Sequence, residues 1–319
     1  MPKRGSDERP SVLRTILTII GILSGLLSLL FFGFLFFTIF SAFSEPTTFA
    51  EGNVAVIPIM GVILPEADGG AFSEGSVASR DIVDWIEEAE ADDSIQAVIF
   101  DIDSPGGTPV ASEEIMMAIR DMDKPSVALI REIGASGAYW AASAADSIFA
   151  SRISSVGSIG VLASYIEFAG TLERYNATYR SLTAGEFKDT GTPFKRLTPA
   201  EERMFQEQLD EIHAYFIQSV AENRGLPEEK VRQLANGWVY TGQEALEFGL
   251  IDRIGSDSDV IAHLQERLNA TVELVEFRAP LTFFDEILGV FRESAFFVGK
   301  GIGTALTTPR LEQRVRITT

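Results

Sequence analysis

A run of 30 residues, Thr15 to Ser44, contains no charged side chain and is dominated by leucine, isoleucine and phenylalanine. A helix needs about 20 apolar residues to cross the hydrocarbon core of a bilayer, so this run is long enough to span one. Lys3, Arg4, Arg9 and Arg14 precede it. Basic flanks stay in the cytoplasm, which puts the rest of the chain outside. A cleaved signal peptide is the competing reading, but its apolar region is ordinarily about 7–15 residues. The expected layout is a cytoplasmic basic terminus at 1–14, a membrane anchor in the lipid bilayer at 15–44 and a short linker at 45–52. Residues 53–278 then form the main domain. A phenylalanine-rich tail, 279–319, either packs against protein or contacts the membrane.

Charge narrows the partners. Formal net charge is -20, and only six of the 26 basic residues are lysines. Nucleic-acid binding needs a basic footprint, so no nucleic acid is expected as a partner. An excess of carboxylates suits a high-salt habitat, where self-repulsion is screened; an ordinary acidic protein is the plainer reading. There is no cysteine, which excludes disulfides, thiol nucleophiles and cysteine-held metal. No metal and no cofactor is expected. Two sequons, Asn176-Ala177-Thr178 and Asn269-Ala270-Thr271, are compatible with an exterior location.

After the linker the chain alternates strand-like and helix-like segments. Val54 to Ile63 reads as a strand interrupted by a turn, Ser76 to Glu90 as a helix, and Ile95 to Ile102 as a β-branched strand. A helix over about 110–122 and a buried strand at Ser126 to Ile130 follow. Short strands are expected at 147–150, 159–163 and 179–183. A long amphipathic helix is expected from Thr198 to Asn223, a helix over 257–268 and a strand over 272–277. This rhythm predicts an α/β fold with helices packed on sheets.

Chemistry concentrates at Gly134-Ala135-Ser136-Gly137-Ala138-Tyr139. Ser136 falls at a strand-to-helix junction between glycines that let the backbone turn sharply and approach a ligand. Unpaired N–H groups at the start of a helix can stabilise a developing oxyanion, which suits a nucleophile. An N-cap serine is the plainer reading. The chain has two histidines, His213 and His263, both inside expected helices and away from any glycine-rich turn, so a Ser-His-Asp triad is not expected. Lysine is then the candidate base. Lys188 lies in Gly185-Glu186-Phe187-Lys188-Asp189-Thr190-Gly191, and a lysine acts as a base only when neutral. In an extended segment Lys188 and Asp189 point to opposite faces; a surface lysine in a loop is the alternative. The turn Asp103-Ser104-Pro105-Gly106-Gly107 follows a strand, and its backbone N–H groups can join that of Gly137 in an oxyanion hole.

Taken together, Ser104 to Gly107, Ala135 to Tyr139, Ser155-Val156-Gly157-Ser158-Ile159-Gly160-Val161, Gly185 to Pro193 and Gly249-Leu250-Ile251-Asp252 resemble the signal peptide peptidase A family. These are membrane-anchored serine proteases of the ClpP/crotonase superfamily, and the resemblance runs over roughly 53–271. It implies a ClpP/crotonase-like repeated ββα superhelix preceded by one transmembrane helix. It also implies roles: Ser136 as nucleophile, Lys188 as general base, Ser158 as the residue that orients the lysine, Gly106 and Gly137 as oxyanion-hole donors, and Gly107 in support of the turn. It implies a homo-oligomer whose active sites are shared between subunits. Its expected substrates are signal peptides left in the membrane, or other membrane-derived peptides. The rivals are a related Ser/Lys protease acting on stomatin-like membrane proteins, a catalytically silent scaffold, and a crotonase-type acyl-CoA enzyme. The anchor disfavours the last, because it takes the domain away from cytoplasmic CoA.

Overall fold

The computed structural model describes residues 12–44, 52–66 and 75–277. The basic terminus before residue 12, most of the expected linker and the phenylalanine-rich tail lie outside the described residues. The chain divides into two units, 1–51 and 52–319.

The described residues of the first unit form one helix, α1 (Val12–Ser44), of 33 residues. At about 1.5 Å per residue it is roughly 50 Å long. Its window Ile19–Phe36 has a mean hydropathy of 2.5, long and apolar enough to cross a membrane.

The second unit is an α/β structure. In chain order it runs β1 (Val54–Leu64), β2 (Ser76–Ala78), α2 (Ser79–Ala91), β3 (Ala97–Gly107), α3 (Pro109–Arg120), β4 (Ser126–Ala135) and α4 (Gly137–Ser143). Next come β5 (Ser147–Ala150), β6 (Ser155–Gly157), α5 (Ala169–Arg174), α6 (Pro199–Arg224) and α7 (Glu228–Leu234). It closes with β7 (Val239–Thr241), α8 (Gly242–Phe248), β8 (Arg253–Ile254), α9 (Asp257–Leu268) and β9 (Leu274–Glu276). Among the described residues these strands form one sheet in the order β2-β1-β3-β4-β5-β8, with β9 also on β1, and β6 joining β4 to β7. Every pairing is parallel except β6 with β7.

A parallel sheet is covered on both faces, so its strands are near-continuous apolar runs. The pleat sorts their side chains by parity. Val98, Phe100 and Ile102 of β3 join Ala128 and Ile130 of β4 in the larger core beneath α2, α3, α4 and α6. Ala97 and Ile99 with Val127 and Leu129 face the other way, under Val260 and Leu264 of α9.

Irregularities in this sheet build the site. The pairing of β1 with β3 shifts between Met60 and Val62, and the Ser104 hydroxyl pins the bulge by donating to the Gly61 carbonyl at 2.5 Å. Bulges re-aim a strand end, and this one directs Gly106 and Gly107 toward β4. Along β4 the partner changes, from β5 at Val127–Ile130 to β6 at Ile133–Ala135. Buried Ser154 bridges the fork, its hydroxyl donating to the carbonyl of Arg131 and accepting the Ser151 N–H at 3.0 Å.

Three expectations differ from the structure. Residues 159–163 and 179–183 are not strands. Ile159 is buried in the larger core, but residues 160–163 and 179–183 belong to an arm, residues 160–198, whose apolar residues Leu162, Ile166, Tyr175, Leu182 and Phe187 are exposed. A strand pattern requires a core partner, and among the described residues these side chains are not packed into the core. The apolar face of α6 is also divided: Phe216 and Val220 are buried, whereas Met204 near its start is exposed. Finally, β1 is continuous, with a bulge where a break was expected.

Candidate active site

Ser136 joins β4 to α4. Its backbone stands at φ 51°, ψ -125°, a conformation that costs a residue bearing a Cβ about 1–3 kcal/mol. Surrounding bonds hold it there. The Ser136 N–H donates to the Gly157 carbonyl at 2.7 Å, and the Trp140 N–H donates to the Ser136 carbonyl at 3.0 Å. All seven residues of α4 are buried, and the Tyr139 hydroxyl ties the helix down by donating to the Leu250 carbonyl at 2.8 Å. Burial pushes the Tyr139 phenol well above its ordinary range, so it stays a donor. The Ser136 side chain does not cap its helix; the hydroxyl is left for other work.

Glycines allow the turn of β3 to close on this junction. A Cβ on Gly106 would stand 2.6 Å from the Gly137 nitrogen, and one on Gly137 would stand 2.0 Å from Ser112 Oγ. Gly106, at φ 94°, shapes the turn, and its N–H is already engaged by Ser104 Oγ at 3.1 Å.

Ser136 opens into a cavity of about 680 Å³ that Gly106, Gly107, Gly137 and Ser158 also line. Its walls include Trp140, Leu162, Ile212 and Phe216. Ser158 is held at φ 51°, with its hydroxyl on the Gly237 carbonyl at 3.3 Å. The structure thus brings five of the six sequence-derived site residues together. Lys188 is not among the described residues lining the cavity. It is exposed on the arm, and the segment around it is a run of turns, with Lys188 N–H on the Gly185 carbonyl. The expected extended segment is therefore replaced by successive tight turns, with Gly185 and Gly191 both at positive φ.

His213 went unnoticed as a cavity residue. It sits on α6 and lines the same space as Ser136, and its Nε2 is buried without a hydrogen-bond partner, as is Trp140 Nε1. Its spacing from Phe216 on one helix face was the available signal, and it needed the packing of α6 on α4 to be read. A second groove of about 730 Å³ lies between α2 and α3, away from Ser136.

Residues 118–271 match peptidase family S49. A protein named as a protease from Methanocaldococcus jannaschii is 31% identical over 243 residues, covering 74% of this chain and 76% of its own length. The chain belongs to peptidase family S49. A protein named as a signal peptide peptidase SppA, from Enterococcus faecium, is 28% identical over 235 residues, with 72% of this chain and 68% of that protein covered. Among solved structures, a serine-to-alanine mutant of the 1510-N membrane-bound stomatin-specific protease matches 72% of this chain and 99% of its own, at 18% identity and a TM-score of 0.45. As a member of S49, of the signal peptide peptidase A kind, the protein is a serine peptidase, a hydrolase of peptide bonds. Its N-terminal apolar helix fits a membrane-anchored protein.

Proposed function

We propose that the protein is a membrane-anchored endopeptidase using a Ser136/Lys188 dyad. The observation that carries the reading is Ser136 itself: a strained, buried-backbone turn that leaves a serine hydroxyl uncommitted beside three glycines in an apolar-walled cleft. Neutral Lys188 takes the Ser136 proton as Oγ attacks a peptide carbonyl. The protonated lysine then gives that proton to the departing amine, leaving an acyl-enzyme. A water, deprotonated by the same lysine, releases the acid and restores Ser136. The N–H groups of Gly107 and Gly137 receive the oxyanion. Gly106, whose N–H is engaged by Ser104, serves the turn.

Lys188 reaches Ser136 from a neighbouring subunit in this reading. Its support is the arm, which carries both the lysine and a set of exposed apolar residues. Exposed apolar patches of this kind mark association surfaces. Ser158, in the cavity beside Ser136, meets the incoming lysine and orients it. The apolar walls suit substrates with small or apolar residues near the cut, as in remnant signal peptides at the membrane. The anchor holds the N-terminus in the cytoplasm and the catalytic unit outside.

A quenched fluorescent signal-peptide fragment tests this with full-length enzyme in detergent. Cleavage is expected in wild type, with a rate that rises toward neutral and alkaline pH as a lysine base requires; an acid optimum would count against it. One observation favours a second reading, the presence of His213 in the cavity. Among the described residues no carboxylate hydrogen-bonds to it, so it lacks the orienting partner of a triad. Cleavage retained in His213→Ala and lost in Lys188→Ala separates the two.

The acidic surface supports operation at high salt. Thermal unfolding is expected to shift to higher temperature as salt rises toward molar concentrations, since screening relieves the self-repulsion of a chain with net charge -20. A transition independent of salt would remove this part of the reading.

A further inference from the structure

We propose that Lys195 and Glu201 are positioning residues for Lys188. With Asp189 they form a three-charge clamp that fixes the turn bearing the lysine and holds the neighbouring carboxylate away from it. The inference rests on the reading of Lys188 as the base.

Asp189 is the obvious hazard to such a base. It follows Lys188 directly, and a carboxylate paired with an ammonium keeps it protonated. In the structure both oxygens of Asp189 are engaged elsewhere. Oδ1 accepts from Lys195 Nζ at 2.7 Å, and Oδ2 accepts from the Ser181 hydroxyl at 2.5 Å. Lys195 is in turn held by Glu201 Oε1 at 2.7 Å, which also accepts from Thr190 Oγ1 at 2.8 Å. Glu201 Oε2 closes a capping box at the start of α6, accepting the Thr198 N–H at 2.8 Å. The Glu201 side chain is only 3% exposed, and the start of α6 anchors the clamp through it. The Lys195 ammonium, the Thr198 N–H and the Thr190 hydroxyl together hold its carboxyl down to about 2.

The clamp spans the lysine turn on both sides. Ser181 precedes Lys188, and Thr190 and Lys195 follow it. A further tie, the Phe168 N–H on the Pro193 carbonyl at 2.7 Å, closes the base of the arm. Among the described residues the Lys188 ammonium itself has no hydrogen-bond or ion-pair partner. The charged residues of segment 185–202, besides Lys188, are Glu186, Asp189, Lys195, Arg196, Glu201 and Glu202; the clamp occupies three of them, and Arg196 pairs with Glu167 and Glu173. Two residues that sequence alone marks as surface charges thereby leave Lys188 the uncommitted cation of the turn.

The test measures kcat and KM across pH on full-length enzyme, with the same signal-peptide fragment as probe. In Lys195→Met, Asp189 is released beside Lys188. The ascending limb of the pH profile is expected to move about one pH unit to the alkaline side, a roughly tenfold loss of kcat near neutrality, with KM little changed. Lys195→Arg is expected to keep the wild-type limb, and Asp189→Asn added to Lys195→Met to restore it. A loss equal at all pH values, unrelieved by Asp189→Asn, or no loss at all, overturns the proposal. Ser181→Ala, a change at an exposed residue, provides the independent arm: a smaller alkaline shift is expected, and an unmoved limb contradicts the clamp even if Lys195→Met fails to assemble. Lys188→Ala keeps the two readings apart. Activity in that variant removes the base assignment, whereas an inactive Lys188→Ala beside unshifted clamp variants removes the clamp alone.

Discussion

Ser136→Ala and Lys188→Ala are each expected to abolish peptide cleavage, by on the order of 10⁴-fold or more, while the protein stays folded and assembled. The reason is that nucleophile and base act as one unit. Without the hydroxyl there is no acyl-enzyme, and without the lysine the hydroxyl keeps its proton. Residues that act as a unit are strongly non-additive. The double variant is therefore expected to be no worse than either single one. Neither side chain supports the core: the Ser136 side chain does not cap its helix, and Lys188 is exposed. Circular dichroism and sedimentation should thus match wild type. Activity in a folded Ser136→Ala oligomer would exclude Ser136 as the nucleophile, and a double variant far worse than both singles would show that the two do not share a step.

Gly137→Ala is expected to be nearly as damaging, for a different reason. Gly137 has an ordinary helical backbone, so space rather than conformation is at issue. Its added Cβ would fall 2.0 Å from Ser112 Oγ and 2.7 Å from Ser112 Cβ. Ser112 is fully buried on α3, with its hydroxyl on the Thr108 carbonyl at 2.9 Å, and turning that hydroxyl aside leaves its Cβ in the way. Relief requires the α4 start to move, which displaces the Gly137 N–H from the oxyanion position. Loss of one such donor lowers kcat by about 10²–10³-fold with a lesser effect on KM. Ser112→Gly in the same chain removes the obstruction. It is expected to recover part of kcat, less than all of it because glycine inside a helix costs about 1 kcal/mol. Full activity in the single variant would mean that Gly137 is not held against α3 during turnover.

How far the sequence discloses this arrangement depends on where each residue finds its partners. The β4–α4 junction was readable because its causes are local: a β-branched strand, two glycines around Ser136 and an alanine-rich helix small enough to be buried whole. The helix α9 and the strand β5 were readable for the same reason. The arm was not. Tyr179 and Leu182 look like core residues of a strand, yet they are exposed, and no periodicity shows whether an apolar residue finds a partner within its own fold. That Gly106, Gly107 and Gly137 gather at one cavity was legible as a group, but the engagement of the Gly106 N–H by Ser104, two residues earlier, was not, because it depends on the bulge. His213 was set aside as a helix residue. It is one, and it also lines the cavity, a fact fixed by how α6 crosses α4. The Asp189–Lys195–Glu201 set illustrates the opposite case: the residues are close in sequence, yet only the turn geometry around Gly185 and Gly191 brings their charges together.

The central claim, that Ser136 of one subunit works with Lys188 of another, is tested most directly by mixing two inactive proteins. Ser136→Ala and Lys188→Ala oligomers are dissociated, combined in equal amounts and reassembled, then assayed with the signal-peptide fragment. If the dyad is shared, sites that join an intact serine to an intact lysine reappear at random, and roughly a quarter of wild-type activity should return. Mixed oligomers that form, as shown by exchange of differently labelled subunits, and yet remain silent would contradict the account.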